Sequence, residues 1–281
     1  MIHATWALTL ATACLLAGDW CNRHLVGWLP DDPPRPGRKQ HAGPIPLAGI
    51  LLAPALLLWL ALDQQWLILA ACMTVMAIGF LDDRSKERDH DLDWRRKGLA
   101  LAAGAALGAT AIIDPMQAPG AWCLHAVFVF VVTNATNFLD NTNGVAAALA
   151  AVGLLQLGGP NWCMAAGCAA LAFVPWNWPR PRLFLGDSGA YALGLLLAIA
   201  SATAAQRSPW PVALAAVALP LVDFVQVLGA RLWLGHPPWV GDRRHLTHIV
   251  RNLGVPAAAI APLFTLLAVL TAAAANWWAS P

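Results

Sequence analysis

The chain has 281 residues, of which 59% are hydrophobic and only 11% are charged. Because a soluble domain carries about a quarter charged residues, this composition excludes an ordinary soluble protein and indicates a chain surrounded by lipid. No basic domain and no nucleic-acid recognition motif accompany the net charge of +2, so we expect no nucleic-acid partner. The six cysteines include no CxxC pair, which indicates neither a disulfide framework nor a zinc site.

Apolar runs bounded by charged residues, proline or glycine recur along the chain and predict one all-α transmembrane domain over residues 1–281. We expect a polytopic integral membrane bundle of about ten transmembrane helices, several of them shorter than the roughly 20 residues that a hydrocarbon core requires. No basic region precedes the first run, which favours an uncleaved span over a signal peptide. The predicted spans are 2–20, 46–62, 66–81, 98–113, 121–139, 144–158, 161–175, 188–205, 209–233 and 255–277.

The basic residues predict the orientation of this bundle. When the spans alternate across the membrane, 16 of the 17 lysines and arginines lie on one side, and only Arg207 lies on the other. By the positive-inside rule the basic side is the cytoplasm, and both termini are then periplasmic. The basic side comprises Arg231 and the connections 21–45, 82–97, 176–187 and 234–254.

Two adjacent acids, Asp82 and Asp83, follow the third span, and several basic residues come after them. An ionised side chain within a span costs at least about 2.5 kcal/mol, so we expect acids beside the apolar runs to be functional or paired. Most of them lie at the predicted cytoplasmic face, where we therefore expect the active site. Carboxylates followed by bases suggest a divalent cation and a phosphate-bearing ligand; the alternative is a solvated loop whose charges pair with one another.

The end of the fifth span is rich in amides and has one carboxylate: Asn134, Asn137, Asp140, Asn141 and Asn143. On a helix, intervals of three and four residues place most of these side chains on one face. A ligand site explains so many polar groups within ten residues of a span better than hydrogen bonding between helices does.

Asp187 lies between Gly186 and Ser188, where the eighth span begins. Glycine permits close approach of the backbone to a ligand, and the start of a helix offers free N–H groups to an anion. The alternative is that Asp187 is an ordinary N-cap.

Two further connections carry candidate phosphate-binding side chains. The last one contains two histidines at i and i+3 within arginine-rich surroundings, which favours phosphate over a metal; its candidates are Asp242, Arg243, His245 and His248. The proline-rich connection before the second span contains Lys39 and His41. Its composition is equally consistent with binding of a ligand and with a basic loop that only anchors the chain on the cytoplasmic side.

Together these five motifs resemble the polyprenyl-phosphate N-acetylhexosamine-1-phosphate transferases, a membrane superfamily also called glycosyltransferase family 4. The motifs occur in the same order and on the same predicted face: DPPRPGRKQHAGPIPLAG from Asp32, GFLDDR, NATNFLDNTNG, LFLGDSG and DRRHLTHIVRNLG. The form of the last motif is closer to the GlcNAc-1-phosphate branch than to phospho-MurNAc-pentapeptide translocase.

The resemblance implies an enzyme that transfers GlcNAc-1-phosphate, or another N-acetylhexosamine 1-phosphate, from a UDP-sugar to undecaprenyl phosphate and releases UMP. It implies dependence on Mg²⁺, with Mn²⁺ as a substitute, and a multi-pass protein in the bacterial inner membrane, with a homodimer as one option. The reaction would be the first membrane step of cell-surface polysaccharide assembly, in cell wall or lipopolysaccharide biosynthesis.

The resemblance also implies roles for individual residues. Asp82, Asp83 and Asp187 would be catalytic, and Asp83 and Asp187 would hold the metal. The substrates would be bound by Lys39, His41, Asn137, Asp140, Asn143, Asp242, Arg243, His245 and His248. Whether Asp82 or Asp83 acts as a base or only positions the acceptor stays open.

Three positions depart from the family pattern. Asn143 replaces a second aspartate, Thr247 replaces a histidine, and Ala48 replaces a glycine. The missing carboxylate bears on which nucleotide or sugar is bound.

Alternative functions predict other features. UDP-MurNAc-pentapeptide or another UDP-2-acetamido sugar would be used by the same chemistry. A transporter would place its acids near the membrane midplane, between internal repeats, whereas these acids lie at one face. Transfer from a CDP-linked lipid would require the motif DxxDGxxAR, which the sequence lacks.

Overall fold

The computed structural model describes residues 2–24, 27–33, 44–88, 92–237 and 243–280, and most of them are α-helical. Lys39, His41 and Asp242 lie outside the described residues. The helices are α1 Ile2–His24, α2 Ala53–Leu62, α3 Trp66–Glu87, α4 Trp94–Thr110, α5 Pro119–Leu139, α6 Val145–Leu157, α7 Asn161–Asn177, α8 Gly186–Ala204, α9 Trp210–Ala215, α10 Ala218–Trp233, α11 Leu246–Asn252 and α12 Ala257–Ala279. A 3₁₀ helix precedes α2 at Gly49–Leu52, and two short strands are β1 Asp31–Asp32 and β2 Ile45–Pro46.

Four of the described helices are long and apolar enough to cross a membrane: α3, α5, α8 and α12. The predicted ninth span is divided into α9 and α10. Pro220 explains the interruption, because it has no N–H to donate to the carbonyl four residues earlier, at Ala216. The helix resumes beyond the break, where the Leu221 N–H donates to the carbonyl of Val217 at 3.0 Å.

Helix α8 lies at the centre of the bundle and packs most extensively against α3 and α5. In the most apolar part of α8, 89% of the residues are buried, as expected for a helix that is apolar on all sides. In α12 the corresponding share is only 28%. Small residues allow the close approach. A Cβ atom added to Gly79 of α3 would lie 2.6 Å from the backbone of Ser188 in α8.

The segment before α2 is tied to the segment before α8. The N–H groups of Ala48 and Gly49 donate to the carbonyls of Phe184 and Leu185 at 2.8 and 3.0 Å. A Cβ atom at Gly49 would lie 2.5 Å from the Gly189 backbone, whereas the Ala48 side chain is accommodated in the core. Of the two neighbouring positions 48 and 49, only position 48 has room for a methyl group. The replacement of the family glycine by Ala48 is therefore accommodated.

Candidate active site

The two adjacent acids lie inside a helix and not in a loop. We expected the third span to end at residue 81, but α3 continues to Glu87. The additional turn is stabilised by an ion pair at i, i+4, in which Lys86 Nζ lies 2.6 Å from Asp82 Oδ2. Both Asp82 and Asp83 are buried.

Two lysines connect Asp82 to Asp187. Lys86 Nζ lies 3.0 Å from Asp187 Oδ2. Lys97 Nζ, at the start of α4, lies 2.7 Å from Asp82 Oδ2 and 3.3 Å from Asp187 Oδ2. The side-chain amide of Asn137, near the end of α5, donates to Asp187 Oδ1 at 3.0 Å. Four helices thus bring one end each to a single cluster of charged side chains.

The carboxylate of Asp83 binds backbone N–H groups at the start of α8. Its Oδ1 accepts the Asp187 N–H at 2.9 Å, and its Oδ2 accepts the Ser188 N–H at 3.2 Å. The close approach requires Gly186, which has φ +66° and whose Cβ, if present, would lie 2.8 Å from Asp83 Oδ2. A carboxylate from α3 therefore satisfies two of the free N–H groups at the N-terminus of α8. Asp187 itself is not the cap, because its carboxylate faces Asn137 and the lysines.

The cluster contains three carboxylates, from Asp82, Asp83 and Asp187, and two ammonium groups, so the carboxylates are in excess. Asp82 Oδ1 is buried and has no hydrogen-bond partner among the residues that the structure describes. A buried acceptor without a partner is costly, and a cation would satisfy it.

The donor set fits Mg²⁺, which takes hard oxygen ligands, commonly one or two carboxylates together with substrate phosphates. Within the described ranges no group of three or more histidine, cysteine or acidic side chains is placed to form a complete metal cage. The assignment of Asp83 and Asp187 as metal ligands stays a prediction. Both oxygens of Asp83 already accept backbone hydrogen bonds, so the geometry favours Asp187 and Asp82 as the main donors.

A cavity of about 100 Å³ opens beside this cluster. Pockets for small-molecule ligands are usually about 300–1,000 Å³, so this cavity has room for an ion and a phosphate group and not for a whole nucleotide sugar. Its lining residues are Asp32, Leu47, Asp83, Lys86, Asn137, Asp140, Gly186 and Asp187. Of the predicted site residues, it therefore brings together Asp83, Asn137, Asp140 and Asp187.

A second cluster surrounds His245. The carboxylate of Asp223, from α10, is fully buried and lies with its Oδ2 2.8 Å from His245 Nδ1. The His245 ring packs edge-on against Phe138 and lies 6.1 Å, centroid to centroid, from His248. The guanidinium of Arg231 lies over the Phe138 ring at 4.9 Å. Phe138 follows Asn137 directly, so α5 joins the histidine cluster to the carboxylate cluster.

The i and i+3 spacing of the two histidines predicts that both lie on one face of a helix, but they do not lie on the same helix. Helix α11 begins at Leu246, so His245 precedes it and only His248 lies within it. Similarly, α5 ends at Leu139, so Asp140 and Asn143 lie in the turn before α6 and not on the helix. Arg243 lies in the short segment before α11.

Thr247, which replaces a family histidine, is buried and donates to Asn141 Oδ1 at 2.5 Å. Asn141 in turn donates from its Nδ2 to the Phe138 carbonyl at 2.6 Å. The threonine therefore fastens α11 to the turn at the end of α5. This departure from the family pattern has a structural role in the chain.

Two titratable groups outside the spans have shifted pKa values. Burial lowers the pKa of His248, and the neighbouring His245 ring and the guanidinium groups of Arg243 and Arg251 lower it further, against the attraction of Asp223. Burial raises the pKa of Asp31, and the neighbouring carboxylate of Glu87 raises it further.

Four residues at the site are not among the predicted site residues: Asp32, Lys86, Lys97 and Asp223. Lys86 and Lys97 belong to the basic residues after Asp83 that suggested a phosphate-bearing ligand, but no individual role was predicted for them. The spacing of Asp82 and Lys86 by one helical turn was a signal for a paired lysine. Asp32 begins the first family-like motif, but nothing in its spacing indicated that it lines the cavity. The pairing of Asp223 with His245, 22 residues apart, has no local signal.

The region of the chain that matches a known protein family includes the whole carboxylate cluster. The sequence profile of glycosyl transferase family 4 matches residues 65–205, half of the chain, from the start of α3 to the end of α8. An undecaprenyl-phosphate alpha-N-acetylglucosaminyl 1-phosphate transferase of Yersinia pestis is 27% identical over an alignment that covers 84% of this chain and 73% of the relative.

Two further relatives are matched over a smaller share of their length. A decaprenyl-phosphate N-acetylglucosaminephosphotransferase of Mycobacterium tuberculosis is 27% identical over 66% of this chain and 57% of its own. A putative glycosyltransferase of Streptomyces coelicolor is 30% identical over 79% of this chain and 58% of its own. The chain thus spans less than two thirds of these two relatives.

Proposed function

The chain belongs to glycosyl transferase family 4, which confirms the resemblance found in the motifs, and from this premise we propose that it is a polyprenyl-phosphate sugar-1-phosphate transferase. The donor is a UDP-N-acetylhexosamine, with UDP-GlcNAc as the first candidate, and the acceptor is undecaprenyl phosphate. The observation that carries the proposal is the pair of ammonium groups shared by Asp82 and Asp187, inside the region that the family profile matches. Two of the relatives, an undecaprenyl-phosphate and a decaprenyl-phosphate enzyme that each transfer an N-acetylglucosamine phosphate, support the sugar and the lipid class.

The reaction requires charge stabilisation more than covalent chemistry. A phosphate oxygen of the lipid attacks the β-phosphorus of the UDP-sugar, the bond from this phosphorus to the bridging oxygen breaks, and UMP leaves. A phosphate monoester has a second pKa of about 6, so the acceptor is largely dianionic at neutral pH. A general base is therefore not obligatory.

The residues of the carboxylate cluster divide this work. Lys86 and Lys97 bind phosphate oxygens and stabilise the charge that spreads over them during transfer. Asp187 with Asp82 or Asp83 would hold Mg²⁺, which when bound supplies positive charge to the transferring phosphoryl group. Asp83 orients Asp187, because it holds the first turn of α8 through two backbone N–H groups.

The donor's remaining groups must lie outside the small cavity. Asn137 and Asp140 line the cavity and would contact the part of the donor nearest to Mg²⁺. Arg243, His245 and His248 contribute positive charge or hydrogen-bond donors to its phosphates. Lys39, His41, Asn143 and Asp242 stay assigned to substrate binding by the resemblance alone.

We place the site at the cytoplasmic face of the bacterial inner membrane. The C-terminal ends of α3 and α5 and the N-terminal ends of α4 and α8 meet at the site, so the site lies at one end of the bundle. The positive-inside rule assigns this end, where the basic residues are concentrated, to the cytoplasm. Exposed tryptophans lie at both ends of the bundle: Trp94 and Trp233 near the site, and Trp66 and Trp210 at the far ends of their helices. Tryptophan is enriched at both membrane–water interfaces.

The proposal is tested by UMP release from purified protein supplied with undecaprenyl phosphate, Mg²⁺ or Mn²⁺, and UDP-GlcNAc, other UDP-2-acetamido sugars or UDP-MurNAc-pentapeptide. We expect UMP only when lipid and metal are both present, and a loss of about 100-fold or more in Asp187→Asn. The matched control is Asp93→Asn, which alters an exposed carboxylate that caps α4.

Release of CMP from a CDP-linked lipid, or flux across liposomes without turnover, would replace this function with one of its alternatives. Folded protein that releases no UMP from any donor would contradict the proposal.

A further inference from the structure

We propose that Asp223 is a positioning residue that fixes the tautomer and orientation of His245; the consequence for catalysis rests on the proposed function. Asp223 lies on α10, outside the region that the family profile matches. It is fully buried, and His245 is only 6% exposed. A carboxylate in such surroundings must have partners that satisfy both of its oxygens.

The partners of Asp223 are the ring and the backbone of one short segment. Its Oδ2 lies 2.8 Å from His245 Nδ1, and its Oδ1 accepts the backbone N–H of Leu246 at 2.6 Å. An ionised carboxylate only accepts hydrogen bonds, so Nδ1 of His245 carries a hydrogen. The other ring nitrogen, Nε2, is then the atom that is left for a ligand.

The same carboxylate sets the position of both histidines. The Leu246 N–H is the first of α11, the helix that carries His248. Phe138 packs edge-on against the His245 ring and limits its rotation. When Nε2 binds a phosphate group, the negative charge of Asp223 stabilises positive charge on the ring.

The Asp223→Asn variant separates these effects. An amide has one acceptor oxygen, whereas Asp223 receives two hydrogen bonds. The Leu246 N–H belongs to the backbone and cannot change its role, so it takes the amide oxygen. The amide NH₂ then faces Nδ1, which must become an acceptor, and the hydrogen moves to Nε2. The helix start is retained, but the ring has the opposite tautomer and has lost its counter-charge.

The first measurement is ¹⁵N NMR of histidine-labelled protein in detergent, with the His245 signals assigned by their loss in His245→Gln. We expect hydrogen on Nδ1 in the wild type and on Nε2 in Asp223→Asn, with similar unfolding temperatures. This readout needs no substrate, so it stands even if no donor is turned over. A wild-type ring without hydrogen on Nδ1 would overturn the proposal.

The second measurement is a double-mutant cycle in UMP release. We expect Asp223→Asn to lower kcat/KM by at least about tenfold, and to have no further effect in the His245→Gln background. The matched control is Asp63→Asn, because Asp63 also binds the start of a helix, α7, through the Trp162 N–H at 2.8 Å. Independent, multiplicative losses from Asp223→Asn and His245→Gln, or wild-type turnover in Asp223→Asn, would contradict the positioning role.

Discussion

The side-chain amide of Asn137 donates a 3.0 Å hydrogen bond to Oδ1 of Asp187 and thereby joins the end of α5 to the start of α8. The next residue, Phe138, contacts the His245 ring and lies under the Arg231 guanidinium. Two consecutive residues of α5 therefore touch the carboxylate cluster and the histidine cluster. Because one helix end contacts both clusters, a shift of α5 changes both, and we treat them as parts of one site.

The shared ammonium groups give the first prediction. Lys86→Met keeps the length of the side chain but removes a cation that contacts Asp82 and Asp187 at 2.6 and 3.0 Å. Of the two ammonium groups, only that of Lys97 then contacts the carboxylates of Asp82 and Asp187, and the phosphate loses a charged donor. We expect UMP release to fall by about 100-fold or more.

The matched control on the same helix is Arg84→Met, which removes a half-exposed cation 3.4 Å from Glu87. Such surface pairs contribute little to stability, so we expect near wild-type turnover. Equal losses in the two variants would show that α3 requires positive charge in general and not the Lys86 contacts.

The second prediction concerns the role of Asp83, which the sequence did not distinguish from that of its neighbour Asp82. Asp83→Ala removes the acceptor of two backbone N–H groups at the buried start of α8. Leaving a buried donor without a partner costs about 1–3 kcal/mol, so we expect a clear fall in the free energy of unfolding and in the unfolding temperature in detergent.

Asp93→Ala provides the comparison, because Asp93 caps α4 through one bond, at 3.2 Å, and is exposed to solvent. Water can replace this exposed cap, so we expect a loss of at most about 1 kcal/mol. If the two variants unfolded at the same temperature, the bonds from Asp83 to the start of α8 would contribute no more stability than the exposed cap at Asp93.

Local patterns in the sequence predicted most of the helices. The boundaries of α5, α6 and α7 agree with the apolar runs to within two residues. Hydropathy failed at the end of α3, because residues 82–87 look like a solvated loop when their partners are not known. In the fold, Lys97 and Asp187 come from other helices and compensate those charges.

The motifs likewise identified the residues around the cavity but not how they pair. Asp82 and Asp83 are neighbours of the same type, yet one faces lysines and the other faces backbone N–H groups, because successive residues on a helix point about 100° apart. The bond from Asp223 to His245 depends on how α10 and α11 pack, which no spacing in the sequence reveals.

The third prediction concerns the contact that holds α3 against α8. Gly79→Ala would place a Cβ 2.6 Å from the Ser188 backbone, which cannot move without displacing the start of α8. Overpacking of this kind costs about 1–3 kcal/mol of stability. If α3 and α8 move apart to relieve the contact, Asp83 also moves away from its two N–H donors. We expect a lower unfolding temperature together with a loss of UMP release.

Gly229→Ala in α10 is the control, since a Cβ there would meet nothing within 4 Å. Alanine favours a helix over glycine by up to about 1 kcal/mol, so this variant should be as stable as the wild type or more stable. Activity and stability that are unchanged in Gly79→Ala would show that the two helices need not touch at this point.

The fourth prediction follows from the lowered pKa of His248, which is caused by burial, by the neighbouring His245 ring and by the guanidinium groups of Arg243 and Arg251. In the unfolded chain this imidazole takes up a proton at its ordinary pKa of about 6.5, whereas the folded protein does so only at lower pH. The unfolded state therefore binds more protons in that window. Stability is complete above the ordinary pKa and is lost as the pH falls towards the lower pKa of the folded state.

His248→Gln removes this titration, so its unfolding temperature should fall less steeply than that of the wild type as the pH is lowered from about 7.5 to below the ordinary histidine pKa of about 6.5. The measurement is a series of thermal unfolding curves in detergent across this range. His125→Gln, in the first half of α5, controls for the loss of an imidazole elsewhere in the chain. If His248→Gln followed the wild-type curve throughout, burial and the neighbouring side chains would not lower the affinity of His248 for protons, and the prediction would be wrong.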